Sequence, residues 1–222
     1  MSANPEFVYA PPMSPYLEVI YRDDDIIVLN KPSGLLTVPG RLTEHQDCLQ
    51  HRVQRVLPNA TIVHRLDMAT SGIIIMALNK ASHVAISRQF EQRQTEKLYI
   101  ARVFGHLQQT HGEIDLPLIC DWPNRPKQMV CHQRGKKAIT HYRLLSSDAC
   151  TSLLELKPIT GRSHQLRVHM LSLGHPILGD RLYAHPKALA MSKRLQLHSQ
   201  FYALSHPSTG QRIEFIAPCP FD

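Results

Sequence analysis

The sequence predicts a mixed α+β fold, with a mostly antiparallel sheet and flanking helices. Short β-prone runs outnumber helical runs, and several neighbouring runs are separated by turn-forming residues, which is typical of hairpins. One apolar run, residues 72–78, has the pattern of a strand buried on both faces. With 222 residues and 43% hydrophobic content, the chain can form one large domain or two packed lobes.

The first third of the chain predicts a hairpin, a loop and a helix. Residues 17–21 and 26–30 are β-prone and flank an acidic turn, whereas residues 31–40 contain too many prolines and glycines for a helix. Apolar residues recur at helical spacing over residues 47–57 until Pro58. After the buried strand at 72–78, Asn79 is expected to cap the next helix.

The rest of the chain adds strands and one further helix. Strands are predicted over residues 97–104, 139–145, 152–157 and 212–216 because aromatic and β-branched residues are frequent there. Leu166, Met170 and Leu173 follow helical spacing, and Gly174 lies where such a helix commonly ends.

Composition narrows the cellular setting and the kind of partner. The formal charge of +7 favours anionic partners, and the apolar run 73–78 is far shorter than the roughly 20 residues that span a bilayer. Residues 1–16 are rich in proline and lack a secretion signal, which predicts a flexible arm preceding one domain over residues 17–222. We expect a cytoplasmic monomer that does not bind membranes.

Cysteine and histidine spacing argues against a metal site. The five cysteines are scattered without a Cys-x-x-Cys pair, so reduced thiols are expected. The 14 histidines are dispersed, and His164 with His169 lacks the spacing of a zinc-hydrolase helix. We therefore expect no metal.

Three segments carry groups suited to catalysis. Residues 64–72 form a polar loop with Asp67 that runs directly into the buried strand. Lys97 and Tyr99 alternate on one face of a predicted strand. Residues 159–167 lead into a helix, and a helix entrance binds anions well. Each segment also has an ordinary interpretation: a surface turn, a half-buried strand or a solvated helix start.

Together these segments resemble the RluA family of pseudouridine synthases. His-Arg-Leu-Asp followed by Thr-Ser-Gly occupies residues 64–72, and residues 31–34, 97–99 and 161–167 resemble the family's other signature stretches. The motifs occur in the expected order, and the resemblance covers roughly residues 17–218. It implies the pseudouridine synthase catalytic fold with a central RNA-binding cleft.

The resemblance also implies roles for residues. The catalytic residues would be Asp67, Tyr99 and Arg167, with Arg167 favouring the ionised form of the Asp67 carboxylate. Because uridine and pseudouridine are isomers, no cofactor is expected. The target uridine would be flipped out of its stack, at a cost of a few kcal/mol. The residues expected to contact RNA are Arg65, His64, Lys97, Arg162, His164, Gln165, Leu166, Arg125, Lys127, Lys136 and Lys137.

Finer assignments depend on weaker signals. Residues 120–127 and 174–180 look like those of a family member that modifies both 23S rRNA and the tRNA anticodon stem-loop. The basic segment 125–137 is either a phosphate contact or a solvated loop, and for Trp122 core packing is favoured over stacking on RNA. Two rival functions are a non-enzymatic RNA-binding domain and a glycoside-type hydrolase, although no second catalytic carboxylate stands out.

Overall fold

A computed structural model describes residues 8–221, which form two compact units. The N-terminal unit contains Tyr9–Lys97 and His198–Pro220. The central unit contains Leu98–Leu197, together with Val8 and Phe221 of the described residues. The length of the chain allowed either a single domain or two lobes, and the structure divides it into two. The beginning of the predicted arm, residues 1–7, lies outside the described residues.

Strands dominate the described residues, as predicted. They are β1 (Val19–Arg22), β2 (Ile26–Lys31), β3 (Thr61–Ile62), β4 (Ser71–Ala77), β5 (Glu96–Phe104), β6 (His111–Asp115), β7 (Leu118–Cys120), β8 (Gln128–Val130), β9 (Ile139–Ser147), β10 (Thr151–Pro158), β11 (Leu197–Ser205) and β12 (Arg212–Ile216). The helices are α1 (Leu49–Gln54), α2 (Lys80–Glu91), α3 (Gln165–Ser172) and α4 (Pro186–Ala190).

The N-terminal unit is built around β4. Strands follow the order β1-β2-β4-β11, while β3 pairs with β4 and β12 pairs with β11. Only the β4–β11 pair is parallel among the pairs within this unit; the others are antiparallel, which confirms the predicted sheet type. All seven β4 residues are buried, because β4 lies between two strands and both of its faces pack against other residues. Ile73 and Ile75 of β4 pack with Ile86 of α2 in the core of this unit.

Four long strands of the central unit pair antiparallel. Their order is β5-β10-β9-β6, and a separate hairpin joins β7 to β8. A smaller core cluster joins Leu118, Ala138 and Val168 of α3. This unit therefore buries apolar residues of its own.

The predicted helix boundaries are largely confirmed. The Asn79 side chain accepts a hydrogen bond from the Ser82 backbone nitrogen at 2.9 Å and caps α2 as expected. Gly174 follows α3 with φ of +82°, a conformation that glycine adopts without steric cost. Helix α1 is shorter than predicted, covering Leu49–Gln54. No helix of the described residues is long and apolar enough to cross a membrane.

The last residues of the predicted arm are anchored in the N-terminal unit. The Tyr9 hydroxyl donates to the Asp47 carbonyl at 2.7 Å. Arg52, a buried side chain of α1, donates to the Pro12 and Tyr16 carbonyls at 2.9 and 3.1 Å. Its guanidinium also pairs with the Asp47 carboxylate at 2.6 Å. Helix α1 therefore fixes the path of residues 9–16.

A cluster of Asp23, Asp25 and His206 links two turns of the N-terminal unit. His206 Nε2 lies 2.8 Å from Asp23 Oδ2. The Ser208 and Ser82 hydroxyls donate to Asp25 and lower its pKa to about 2. In the cluster of Asp23, Asp25 and His206, atoms that could bind a metal lie within 4.8 Å of one another. Because hydrogen bonds already occupy both carboxylates, we interpret the cluster as a link between turns.

Gly72 makes the parallel β4–β11 pair possible. Its φ is +111°, which side-chain-bearing residues rarely adopt, and a Cβ there would overlap the backbone of Ser199 on β11. Both constraints fall on the second residue of β4, where the motif at residues 64–72 ends. The glycine of the Thr-Ser-Gly motif is therefore required by backbone packing.

We expect Gly72→Ala to lower the free energy of unfolding by about 2 to 4 kcal/mol, because backbone strain and steric overlap add. Gly210→Ala is the matched control. Gly210 has a φ of +72° but open space around its Cα, so it should cost only about 1 to 2 kcal/mol. Urea unfolding of both variants measures the difference, and equal losses would refute the overlap with Ser199.

Candidate active site

The loop that carries Asp67 is fastened to the loop at residues 31–37. Thr37 Oγ1 donates to the Leu66 carbonyl at 2.7 Å and accepts from the Leu66 backbone nitrogen at 3.3 Å. Ser33 Oγ donates to the Ala69 carbonyl at 2.7 Å, and the Gly34 backbone nitrogen donates to Met68 at 2.8 Å. These bonds fix the backbone on both sides of Asp67.

Lys31 adds a buried charge to this arrangement. Its ammonium group donates to the carbonyls of Pro32, Leu35 and Met68 at 2.9, 2.7 and 3.1 Å. An ammonium has three donors, and its burial is tolerable because these carbonyls replace its water. The lysine of the Lys-Pro-Ser-Gly motif therefore holds the residue that follows Asp67. The sequence resemblance marked this motif but gave no role for Lys31.

His64 fixes the other end of the loop. The backbone nitrogen of Ile75 donates to His64 Nε2 at 3.0 Å, so the imidazole supplies an acceptor to a buried strand. The rings of Phe90 and Tyr202 flank it, with centroids 5.2 and 5.0 Å away. Burial, followed by the positive charge of Lys97, lowers the pKa of His64 to about 3. His64 is therefore neutral at pH 7 and anchors the loop; its predicted contact with RNA stays a prediction.

The remaining predicted residues of the N-terminal unit differ in exposure. Arg65 is exposed, whereas Asp67 and Lys97 are half-buried. Burial lowers the pKa of Lys97 below its ordinary value. Arg65 is thus an exposed side chain on a loop whose neighbouring residues are held by hydrogen bonds, an arrangement that suits its predicted contact with RNA.

Two buried hydrogen bonds of His198 hold the end of the motif that lies in β4. The His198 imidazole lies 3.0 Å from the Ala217 carbonyl through Nε2, so that nitrogen carries the proton. Nδ1 then accepts from the Ser71 hydroxyl at 2.8 Å. Ser71 and His198 are also paired across β4 and β11. The serine of the motif therefore ties the loop to β11.

In the central unit, Arg167 is held by a buried carboxylate. Its Nε and Nη2 donate to the two oxygens of Asp180 at 2.8 and 2.7 Å, and both side chains are at most 5% exposed. This side-on geometry uses two of the five guanidinium donors and directs the Nη1–Nη2 edge away from Asp180. Asp180 was noted only within a motif; its ion pair was not predicted.

The rest of the 159–167 motif serves mainly to shape the chain. The Gln165 amide accepts from Thr160 at 2.7 Å and from the Arg162 backbone nitrogen at 3.0 Å, and it donates to Ile139 at 2.9 Å. Gln165 and Leu166 are buried. In contrast, Arg162 is exposed and its Nε donates to the Lys137 carbonyl at 3.1 Å. Arg162 is therefore the residue of this group whose exposure suits the predicted RNA contact.

The β7–β8 hairpin presents an exposed basic surface. Arg125 stacks over Trp122 at 4.3 Å from the ring centroid, and Trp122 is 65% exposed. Core packing of Trp122, favoured from the sequence, is therefore wrong: the ring lies outside the core because a 3-10 turn at Trp122–Asn124 carries it outward. The other cations that share this surface are Lys127, Arg134, Lys136 and Lys137, all of them exposed except the half-buried Lys127.

Family comparisons identify the class of protein. Residues 25–172 match the family model described as RNA pseudouridylate synthase, and the chain belongs to this family. The human protein called RNA pseudouridylate synthase domain containing 1 has a similar structure, with a TM-score of 0.77, 30% identity, and coverage of 92% of this chain and 84% of that one. The human protein called RNA pseudouridylate synthase domain containing 4 is also similar, with a TM-score of 0.75 and 26% identity. The match covers 92% of this chain and 89% of that one.

More similar relatives come from bacteria. The proteins named dual-specificity RNA pseudouridine synthase RluA are 57% identical in Escherichia coli K12 over 96% of this chain and 98% of theirs, and 58% identical in Yersinia pestis over 91% and 99%. This chain is thus an RNA pseudouridine synthase that isomerises uridine in RNA. The predicted fold and enzyme class are confirmed, and the two rival functions are set aside.

The pH dependence of stability tests the role of His64. Below pH 6.5 the unfolded chain protonates His64, whereas the folded chain does so only near pH 3. Stability from this group is therefore fully present above pH 6.5 and is lost as the pH falls towards 3. Between pH 7 and 5 the loss should be up to about 2 kcal/mol.

His64→Gln retains an acceptor for Ile75 but cannot titrate, so its unfolding free energy should fall less between pH 7 and 5. His64→Leu, the control without an acceptor, should be about 1 to 3 kcal/mol less stable than His64→Gln at both pH values. Urea unfolding at each pH provides the measurement. Parallel pH curves for the wild type and His64→Gln would contradict the assignment.

Proposed function

We propose that Asp67, Tyr99 and Arg167 carry out the isomerisation on a uridine flipped out of structured RNA. The N1–C1′ bond breaks, the uracil turns, and a C5–C1′ bond forms. The C5 proton leaves and N1 regains a proton, so that the product is an isomer of the substrate. The Asp67 carboxylate either attacks the sugar or removes a sugar proton during this exchange. No redox cofactor, nucleotide or metal is needed for these steps.

The observation that carries the assignment to Asp67 is the fixation of its loop. Leu66, Met68 and Ala69 are each held by hydrogen bonds from residues 31–37, whereas Asp67 itself is only half-buried. A carboxylate on a backbone that is fixed on both sides loses little entropy when it meets its substrate. This rigidity favours Asp67 over the exposed acids of the chain.

The environment of Arg167 supports its proposed partnership with Asp67. Asp180 fixes the guanidinium in a buried position while leaving most of its donors directed elsewhere. A guanidinium close to a carboxylate favours the ionised form that both proposed chemical routes require. Tyr99, a buried residue of β5, would stack on the flipped base, an interaction worth roughly 1 to 3 kcal/mol.

Contacts with RNA are proposed for several exposed or half-buried cations. Arg65 would fill the gap left by the flipped base or clamp its phosphate, and Arg162 with Lys97 would contact nearby groups. Arg125, Lys127, Lys136 and Lys137 of the basic segment 125–137 would hold the flanking phosphates. His64, His164, Gln165 and Leu166 were also predicted to contact RNA; the hydrogen bonds of His64 and Gln165 support a role in shaping the binding surface.

We further propose the targets and the setting. The relatives named dual-specificity enzymes support action on two RNAs, which we take to be 23S rRNA and the anticodon stem-loop of tRNA. The similarity extends across 96% of this chain for several of them. We propose that the protein works as a monomer in the cytoplasm, where both RNAs are found.

Asp67→Asn should reduce pseudouridine formation to background while RNA affinity stays within about twofold, because the change removes only a charge from the reacting atoms. Cells lacking the protein, complemented with each variant, would be mapped for pseudouridine in total RNA. The wild type should restore sites in 23S rRNA and tRNA, and Asp67→Asn should restore none. Asp24→Asn, an exposed acid of the same unit, is the control and should behave as the wild type. Activity in Asp67→Asn would remove Asp67 from the mechanism.

Replacing Lys136 and Lys137 with glutamine should weaken RNA binding and reduce the salt dependence of the affinity. Removal of one phosphate-binding cation lowers the slope of log K against log salt by roughly 0.7 to 0.9. Filter binding at several salt concentrations measures the slope. Lys193→Gln, an exposed lysine away from the hairpin in sequence, should leave it unchanged. An unchanged slope in the double variant would indicate that the basic segment 125–137 is a solvated loop.

A further inference from the structure

We infer that Tyr183 is a positioning residue that holds Arg167 in its working orientation and ties it to the β7–β8 hairpin. This inference rests on the proposed role of Arg167. The relevant contacts all lie within the central unit. They join a strand of the hairpin, the entrance of α3 and the segment that follows Asp180.

The Tyr183 hydroxyl joins two parts of the chain. It accepts a hydrogen bond from the Gln128 backbone nitrogen of β8 at 2.8 Å. It also lies 2.7 Å from His164 Nδ1. Because the backbone N–H must be the donor in the first bond, the hydroxyl proton is available for Nδ1 of a neutral imidazole. One oxygen thus links the hairpin to His164, the residue that precedes α3.

Tyr183 contacts both members of the Arg167–Asp180 ion pair, Arg167 through its ring and Asp180 through its backbone nitrogen. The Arg167 guanidinium carbon lies 5.1 Å from the ring centroid, within the range of a cation–π contact. Asp180 Oδ1, which accepts from Arg167 Nη2, also accepts from the backbone nitrogens of Leu182 and Tyr183 at 2.9 and 3.3 Å. The carboxylate that fixes Arg167 therefore also fixes the turn that presents Tyr183.

His164 occupies an unusual backbone conformation at this junction. Its φ of +54° is left-handed, although it is not a glycine, and its side chain makes no cap hydrogen bond to α3. Such a conformation costs roughly 1 to 2 kcal/mol and persists only where surrounding contacts impose it. The bond from Tyr183 is one such contact. It acts one helical turn before Arg167, so a shift of His164 would alter the position of the guanidinium.

The arrangement has a consequence for catalysis rather than for RNA affinity. Arg167 and Asp180 are buried, so a change at Tyr183 would act on them through packing and hydrogen bonds and not through a contact with phosphate. Removing its hydroxyl would deprive the Gln128 N–H and His164 Nδ1 of this partner and loosen the turn against Arg167. A displacement of about 1 Å near reacting groups reduces rates by up to about 100-fold.

The test is a double-mutant cycle of Tyr183→Phe and Arg167→Lys, with single-turnover rates measured at saturating enzyme. Tyr183→Phe keeps the ring over Arg167 and should slow the reaction about tenfold or more, while RNA affinity stays within about twofold. In the Arg167→Lys background the same change should cost less than about twofold, because its effect passes through the guanidinium. Tyr142→Phe is the matched control. Its buried ring has a hydroxyl with a longer 3.3 Å bond to Gln109, and it should keep the wild-type rate.

Several outcomes would overturn the inference. A wild-type rate in Tyr183→Phe would do so, as would an equal slowing in both Arg167 backgrounds or a loss confined to RNA affinity. If Tyr183→Phe does not fold, His164→Gly takes its place in the cycle. Glycine adopts the left-handed conformation without strain and removes the imidazole that bonds to Tyr183. A wild-type rate in Arg167→Lys alone would instead overturn the proposed role of Arg167, which separates the two failures.

Discussion

The hydrogen bonds between residues 31–37 and residues 66–69 are the constraint on which the proposed chemistry depends. Three carbonyls around the buried Lys31 ammonium and the reciprocal bonds of Thr37 with Leu66 hold a loop that has no regular secondary structure. A loop of this kind would otherwise incur a large conformational entropy cost to present one carboxylate. Here that cost is met during folding, so Asp67 is already restrained before any RNA arrives.

In the N-terminal unit, the loop that carries Asp67 is also attached to buried strands of the core. Strand β4 is buried along its whole length, and His64 attaches the loop to it. At the other end of the motif, Ser71 of β4 bonds to His198 of β11. Gly72 brings β4 close to β11, where Ser71 meets His198. Most residues of the His-Arg-Leu-Asp and Thr-Ser-Gly signature are thus explained by backbone support, and Arg65 and Asp67 are the members for which we propose a direct role toward RNA.

In the central unit, a buried ion pair with Asp180 holds the Arg167 side chain in place. A buried arginine is tolerated because Asp180 meets it side-on with two short bonds, and replacing either partner would break a buried ion pair. Tyr183 extends this support to the β7–β8 hairpin. Arg125, which stacks on Trp122, is one of the exposed cations that we propose contact phosphates.

By itself, the sequence determined the fold class, the buried β4, the cap at Asn79 and the order of the four motifs, because these follow from local periodicity and residue chemistry. It missed β11, where the buried His198 and Ser199 break the apolar pattern, and the short strands β6–β8. Only the tertiary structure decided the partners of His64, Lys31 and Arg167, since each bonds to groups distant in sequence. It also placed Trp122 outside the core, because local periodicity carries no information about which side of a turn faces solvent.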